Sequence, residues 1–182
     1  MSYKRWIFVA IFLFGVGLAF GLAAPPSIVN LMSGEITVLE ELGRILAPFS
    51  VLTAIFIFIK NASALLLSFV FSPILCLVPI LSLTANGWLL AFVSSIVVQE
   101  TSLGFVLASL LPHGIFEIPA LIIGQAAALS LGAMVIMALL KKKRRSLLLP
   151  NLKQNLKYLL LALVLLLPAA IIETYITPLL LT

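Results

Sequence analysis

The sequence predicts an all-α bundle of transmembrane helices that forms a single integral membrane domain over residues 1–182. Of these residues, 63% are hydrophobic and only 9% are charged, with a mean hydropathy of +1.30. A soluble domain of this size could not bury that much apolar surface. The apolar residues also form runs approaching the length of about 20 residues that a membrane-spanning helix needs. We expect about five to six membrane segments, one of them broken or re-entrant.

The first segment is expected between Trp6 and Ala24, directly after Lys4 and Arg5. This charged start resembles a signal peptide, but the apolar run is longer than the hydrophobic region of such a peptide. Proline follows the Ala-Ala pair and is unfavourable just past a cleavage site. We therefore predict a retained first span.

A polar segment at residues 25–48 separates the first span from the rest of the chain. Within it, apolar residues recur at helical spacing, namely Ile36, Leu39, Leu42, Ile45 and Leu46. This pattern predicts a short amphipathic helix that lies at the membrane interface with its acidic side in water.

The middle of the chain contains apolar stretches that polar residues, proline and glycine interrupt. We expect breaks at Lys60-Asn61 and at an Asn86-Gly87 turn, and a re-entrant pair of half-helices at 88–111. Alternatively, 88–111 spans the membrane and 49–59 does not. The expected apolar segments lie at 49–59, 62–84, 88–98, 103–111, 118–140 and 158–181.

Basic residues predict the orientation, because lysine and arginine accumulate on the cytoplasmic side of membrane proteins. Lys4-Arg5, Lys60 and the run 141–145 should therefore lie inside, and the basic loop 141–157 should be cytoplasmic in a plasma membrane protein. An even number of crossings must then separate the amino terminus from this loop. The net charge of +5 reflects topology and contact with the lipid bilayer, since no nucleic-acid-binding pattern accompanies it.

His113, the only histidine, lies within an apolar stretch, with Glu117 four residues later. An ionisable residue at membrane depth costs about 2.5 to 3.5 kcal/mol on insertion scales, so it normally faces a protein interior or a wet cavity. On a helix the two side chains share one face, where the carboxylate can hold the imidazole's tautomer. The pair is either a structural contact or a functional one, and the sequence leaves both open.

Other polar residues in or beside apolar segments extend this set. Asn61 suits a helix cap or loop, and Asn86-Gly87 suits a turn. Gln125 lies two turns after Glu117, and Glu173 either sits near the interface or reaches inward to His113. The candidate intramembrane polar cluster comprises His113, Glu117, Asn61, Asn86, Gly87, Glu100, Gln125 and Glu173.

Small residues on the segment after His113 predict close helix packing. Gly124, Ala128 and Gly132 form a stripe at spacing four, and Gly114 precedes it. Packing within the chain is the first interpretation of this stripe, and a homodimer seam is the second.

We assign no catalytic, cofactor-binding or metal-binding residue, and we expect no cofactor. A catalytic zinc site needs at least three protein ligands, and only Glu100 and Glu173 remain as partners for the His113-Glu117 pair. No His-Glu-x-x-His or Gly-x-Ser-x-Gly motif is present. Cys76 has no second cysteine to pair with and is expected to be a small core residue. A non-enzymatic role is therefore favoured over an enzymatic one.

Several segments together resemble the integral membrane stage II sporulation protein M family. They are Lys60-Asn61 ahead of an apolar helix, Leu83-Thr84-Ala85-Asn86-Gly87, Pro112-His113-Gly114-Ile115-Phe116-Glu117-Ile118-Pro119-Ala120 with Gly124 and Gly132, and the closing stretch from Pro168 to Pro178 with Glu173. The resemblance implies a polytopic helical protein. It also implies a scaffold role, since sporulating members assemble with a peptidoglycan-hydrolysing pair during engulfment. Relatives also occur in bacteria and archaea that never sporulate.

Three functions are consistent with these features. The first is a non-enzymatic membrane scaffold or assembly protein that recruits membrane or cell-envelope proteins. The second is a transporter or permease-like component that uses the intramembrane His-Glu pair. The third, a metal-dependent hydrolase, requires Glu100 or Glu173 within about 2 Å of the same ion as His113.

Overall fold

The computed structural model describes residues 3–25, 28 and 48–181, and this part of the chain is helical without strands. Each of five helices is long and apolar enough to cross a membrane. The expected all-α transmembrane bundle is therefore confirmed. The long helices are α1 (Tyr3–Leu22), α2 (Val51–Phe71), α3 (Leu77–Glu100), α4 (Leu103–Leu140) and α5 (Leu148–Tyr175), and two short ones are a 3-10 helix (Lys142–Leu147) and α6 (Thr177–Leu180).

Two expected breaks lie inside continuous helices. Helix α2 runs through Lys60-Asn61, and α3 runs through Asn86-Gly87, so these two boundary predictions were wrong. The side chain of Asn86 donates to the Ser82 carbonyl at 2.7 Å, which satisfies its amide within the helix and removes the need for a turn. The chain turns instead at residues 72–76, where Leu75 and Cys76 adopt left-handed backbone angles, with φ of 52° and 56°.

The segment 88–111 is divided between two span-length helices instead of folding back on itself. Residues 88–98 complete α3, and 103–111 begin α4. Ser102 ends the short connection and caps α4, because its hydroxyl accepts a hydrogen bond from the Phe105 amide at 3.1 Å. Helix α4 continues through Pro112 and Pro119, which membrane helices tolerate. The predicted amphipathic helix within 25–48 lies almost wholly outside the described residues.

Contacts between helices define their directions. Gly17 lies against Thr84 and Gly21 against Trp88, so α1 and α3 run parallel. In α2 and α4, Leu65 lies against Gly124 and Ser72 against Gly132, so these helices are also parallel to each other. Since α3 and α4 are antiparallel neighbours, the four described helices α1 to α4 alternate in direction between the amino terminus and the basic 3-10 helix. Both basic segments therefore lie on the same side.

Helix α4 is the centre of the bundle. Its residues from Gly124 to Gly132 are all buried, whereas most lipid-facing positions of the other helices are apolar and exposed. One buried cluster joins α4 to α2 and α5, and a second joins it to α1 and α3. The bundle therefore has two apolar cores with α4 between them.

Glycines allow very close contact between α1 and α3. A Cβ atom on Gly17, Gly21 or Gly87 would lie 2.2 to 2.3 Å from a carbonyl oxygen of the facing helix. Only glycine permits backbones to approach this closely. The spacing of four between Gly17 and Gly21 is the sequence signal for this contact.

Cys76 provides a probe of the turn at 72–76. Its side chain is buried and its sulfur lies 3.7 Å from the Leu129 carbonyl oxygen. Burial raises the pKa of the Cys76 thiol, which lowers the fraction of reactive thiolate. We expect maleimide to label Cys76 at least roughly tenfold more slowly in the folded protein than after unfolding.

The matched control is a cysteine at an exposed position of the same chain. Ser146 is exposed in the 3-10 helix, so a Cys76→Ser, Ser146→Cys variant should react rapidly in the folded state. Equal labelling rates for Cys76 and the cysteine at position 146 would contradict the buried turn.

Candidate functional site

Three titratable side chains from two helices meet in one cluster. His113 and Glu117 belong to α4, and Glu173 belongs to α5. One nitrogen of the imidazole and one oxygen of each carboxylate all lie within 4.8 Å of one another. We call these three residues the His-Glu-Glu cluster.

The helix arrangement explains how a residue near the carboxyl end reaches His113. Ala162 of α5 lies against Gly124 of α4, and the two helices are antiparallel. Glu173 comes eleven residues after Ala162 in α5, and His113 comes eleven residues before Gly124 in α4. Because the two helices are antiparallel, Glu173 and His113 lie on the same side of the contact between Ala162 and Gly124. Both stretches extend about 16 Å, at the helical rise of about 1.5 Å per residue. The cluster thus lies towards the end of the bundle where α4 begins and α5 ends.

Helix α2 supplies a fourth side chain. The Asn61 amide nitrogen donates to Glu117 Oε1 at 3.1 Å, which links α2 to α4 at the cluster. Asn61 is one helical turn before Leu65, whose side chain packs on Gly124. Its role is therefore a contact between helices instead of the cap or loop expected from the sequence.

The imidazole of His113 lacks a hydrogen bond with any described residue. Its Nε2 atom lies 3.9 Å from Glu117 Oε2, beyond the range of about 2.7 to 3.2 Å for an N–H···O bond. Its Nδ1 atom is buried without a partner. An unsatisfied buried polar atom costs about 1 to 3 kcal/mol, so the cluster has bonding capacity that the described side chains do not use.

A cavity of about 290 Å³ adjoins the cluster. Glu173 belongs to both, since its side chain also lines this cavity. Lys60, an exposed residue of α2, lines the same space, so the described residues give the cavity one lysine and one carboxylate. The lining residues are Pro48, Thr53, Phe56, Ile57, Lys60, Glu173, Thr174 and Pro178.

Gln125 forms a separate polar layer two turns further along α4. Its side chain is fully buried. The Ser68 hydroxyl donates to Gln125 Oε1, and Gln125 Nε2 donates to Ser82 Oγ at 2.8 Å. This one amide therefore connects α2, α3 and α4, and it lies apart from the His-Glu-Glu cluster.

Three further residues of the predicted cluster lie elsewhere. Glu100 is exposed at the carboxyl end of α3 and is not part of the His-Glu-Glu cluster. Asn86 is exposed and bonds within its own helix. Gly87 packs against the backbone of α1 at Phe14 and Leu18, so it serves the contact between helices.

The small residues of α4 pack inside the chain, with one exception. Gly124 faces Leu65 and Ala162, Gly132 faces the turn at Ser72, and Ala128 is fully buried. Among the described residues Gly114 has no close neighbour, since its Cβ would meet only Ile118 there, at 3.8 Å. The stripe is therefore not available for a seam between two chains, and a homodimer would need another face.

Sequence reasoning missed several contacts that the structure contains. Tyr3 stacks on Tyr158 with ring centroids 3.5 Å apart and donates to the Ile123 carbonyl at 2.8 Å. Asn155 is buried and donates to Asn151 at 2.9 Å. No sequence signal joins residues as distant as Tyr3 and Tyr158, whereas the spacing of Gly17 and Gly21 could have predicted the glycine contact.

The donor atoms of the cluster define its chemistry. An imidazole with two carboxylates can exchange protons or bind a divalent cation. A Ser-His-Glu arrangement with Ser109 or Ser102 as nucleophile has less support, because Ser109 donates to the Val106 carbonyl at 2.8 Å. Ser102 is committed to its helix cap.

Comparisons with known proteins agree with the motifs. Residues 7–178 match the model of the family described as Stage II sporulation protein M. The chain is also similar to the uncharacterized protein MJ0793 of Methanocaldococcus jannaschii, with 37% identity over 99 residues. That alignment covers 54% of this chain and 56% of the relative, so the chain spans about half the length of this curated relative. No solved structure matches the chain at a significant level.

Proposed function

Because the chain belongs to the Stage II sporulation protein M family and is a membrane protein of that family, we propose that it acts as a non-enzymatic membrane scaffold. In this role it holds membrane or cell-envelope proteins in a defined arrangement. The observation that carries the proposal is the backbone contact at Gly17, Gly21, Gly87 and Gly132. Contacts this close favour one rigid bundle geometry over helices that rock against each other.

The buried polar residues support the same role. Gln125 joins three helices, and Asn61 joins α2 to α4 at Glu117. Polar contacts between membrane helices contribute only about 0.6 kcal/mol of stability on average. Their main effect here is to favour one packing arrangement of the helices, in which the polar groups meet. A fixed bundle presents its outer apolar faces to partners in a constant arrangement.

We place the amino terminus and the basic 3-10 helix in the cytoplasm of a plasma membrane. Lys4, Arg5 and the run 141–145 lie on the same side of the bundle, and this basic end matches the positive-inside rule. The His-Glu-Glu cluster then lies in the outer half of the membrane. Lys60 is not a loop residue, and its long side chain can place its charge in the adjoining cavity.

Assembly in native membranes tests the scaffold. If the polar cluster is structural, His113→Gln should lower thermal stability, while the size of the native complex recovers in stabilising conditions. Blue-native electrophoresis of gently solubilised membranes measures that size, with a Glu100→Gln variant as the control. A chain that migrates as a bare monomer in native membranes, with all variants folded, would exclude the scaffold.

A transporter component is the second candidate, and the cavity shared by Lys60 and Glu173 favours it. A folded Glu117→Gln variant should then abolish ion-dependent flux in proteoliposomes, because the carboxylate at the cluster loses its charge. Flux that is unchanged in this variant would count against transport. The Glu100→Gln variant, altered outside the cluster, should retain full flux.

A further inference from the structure

We propose that His113, Glu117 and Glu173 bind a divalent transition-metal ion, with Zn²⁺ as the best fit. Imidazole nitrogen and carboxylate oxygen are both zinc ligands, at about 2.0 to 2.2 Å from the ion. The sequence contains only one histidine, so motif searches that require two histidines do not find this site. The inference is independent of the scaffold role, since it concerns only the occupancy of the cluster.

The distances in the cluster suit one shared ion. Ligand atoms on a tetrahedral zinc are about 3.4 Å apart, as follows from bond lengths near 2.1 Å. The three donor atoms lie within 4.8 Å of one another, and His113 Nε2 is 3.9 Å from Glu117 Oε2. Small side-chain rotations are therefore enough to bring all three atoms onto one ion.

The bonding within the cluster leaves the imidazole free to bind. Neither ring nitrogen of His113 makes a hydrogen bond with a described residue, and Nδ1 is buried. Buried polar atoms normally have a partner, and a metal ion would supply one for the single ring nitrogen that it binds, which is Nε2 for an ion beside Glu117 Oε2. This orphaned imidazole is an observation separate from the proximity of the two carboxylates.

The charges favour a cation at the same point. Glu117 and Glu173 place two carboxylates close together in a part of the chain that crosses the membrane. Lys60 lines the cavity beside Glu173, but no salt bridge joins it to either carboxylate within the described part of the chain. A doubly charged ion would relieve the repulsion between the carboxylates more effectively than a protonated imidazole can.

Asn61 orients one of the ligands. Its amide donates to Glu117 Oε1 and leaves Oε2, the oxygen nearer His113, available for the ion. Such contacts behind a ligand typically change metal affinity by about 10- to 100-fold. Three protein ligands also leave a fourth position for water or for a group from another molecule, and one of the three, Glu173, lines the adjoining cavity.

Direct zinc binding tests the proposal. The full chain, without a histidine tag, is placed in lipid nanodiscs, freed of metal with a chelator and titrated with zinc chloride. Isothermal titration and elemental analysis should give about one zinc per chain for the wild type, as one shared site predicts. Glu173→Gln should bind zinc at least roughly tenfold more weakly, whereas Glu100→Gln should bind like the wild type.

A milder variant keeps the proposal testable if Glu173→Gln or His113→Gln fails to fold. Asn61→Ala leaves all three ligands in place and should weaken zinc binding by about tenfold or more. X-ray absorption of the loaded wild type should show nitrogen and oxygen ligands near about 2.0 to 2.1 Å, with the scattering of one imidazole. A wild type that retains no zinc after exchange, or zinc binding that is unchanged in folded Glu173→Gln, would overturn the site.

Discussion

A Gly87→Ala variant is expected to lose roughly 2 to 3 kcal/mol of stability, which is the upper part of the range for overpacked interiors. The added Cβ would lie 2.3 Å from the Phe14 carbonyl oxygen and 3.0 Å from the Leu18 amide nitrogen. These neighbours are backbone atoms, so a rotamer change cannot relieve the clash and α1 must move away from α3. Thermal unfolding in detergent or nanodiscs measures the loss.

Gly15 supplies the matched control on the facing helix. It is exposed, and a Cβ added there would meet no described residue within 4 Å. Gly15→Ala should therefore be neutral or stabilise α1 by about 0.5 to 1 kcal/mol through helix propensity. Similar unfolding temperatures for the two alanine variants would show that α1 and α3 do not approach at Gly87.

The second large effect is expected at Gln125. A Gln125→Glu variant keeps the size and shape of the side chain but replaces its amide donor with a carboxylate at the centre of the bundle. The Ser82 hydroxyl loses the bond that it accepts at 2.8 Å. A charge near the middle of a membrane span costs about 2.5 to 3.5 kcal/mol on insertion scales, and we expect a loss of that order.

The control is the same substitution at an exposed position. Gln154 of α5 is exposed between Lys153 and Lys157, where a carboxylate is solvated and attracted by its neighbours. Gln154→Glu should change the free energy of unfolding by less than about 0.5 kcal/mol. If both variants unfold at the wild-type temperature, Gln125 does not occupy a dry interior.

The fold class was predictable from hydropathy, because the bilayer requires long apolar helices whatever their contacts. Helix boundaries were less predictable. Lys60-Asn61 and Asn86-Gly87 have the composition of loops, but Asn61 gains a partner on α4 and Asn86 bonds to its own helix. Local composition therefore predicted breaks that these hydrogen bonds make unnecessary.

A membrane bundle with a His113-Glu117 pair on one helix face was predictable from the sequence, since the spacing of four residues places both side chains together without any tertiary contact. Which other residues join this pair depends on how the helices pack. The antiparallel packing of α5 on α4 brings Glu173 to His113 and leaves Glu100 outside the cluster. The register of α5 on α4 decides which side chains meet in the cluster. That register depends on contacts such as Gly124 with Ala162, which the spacing of apolar residues does not predict.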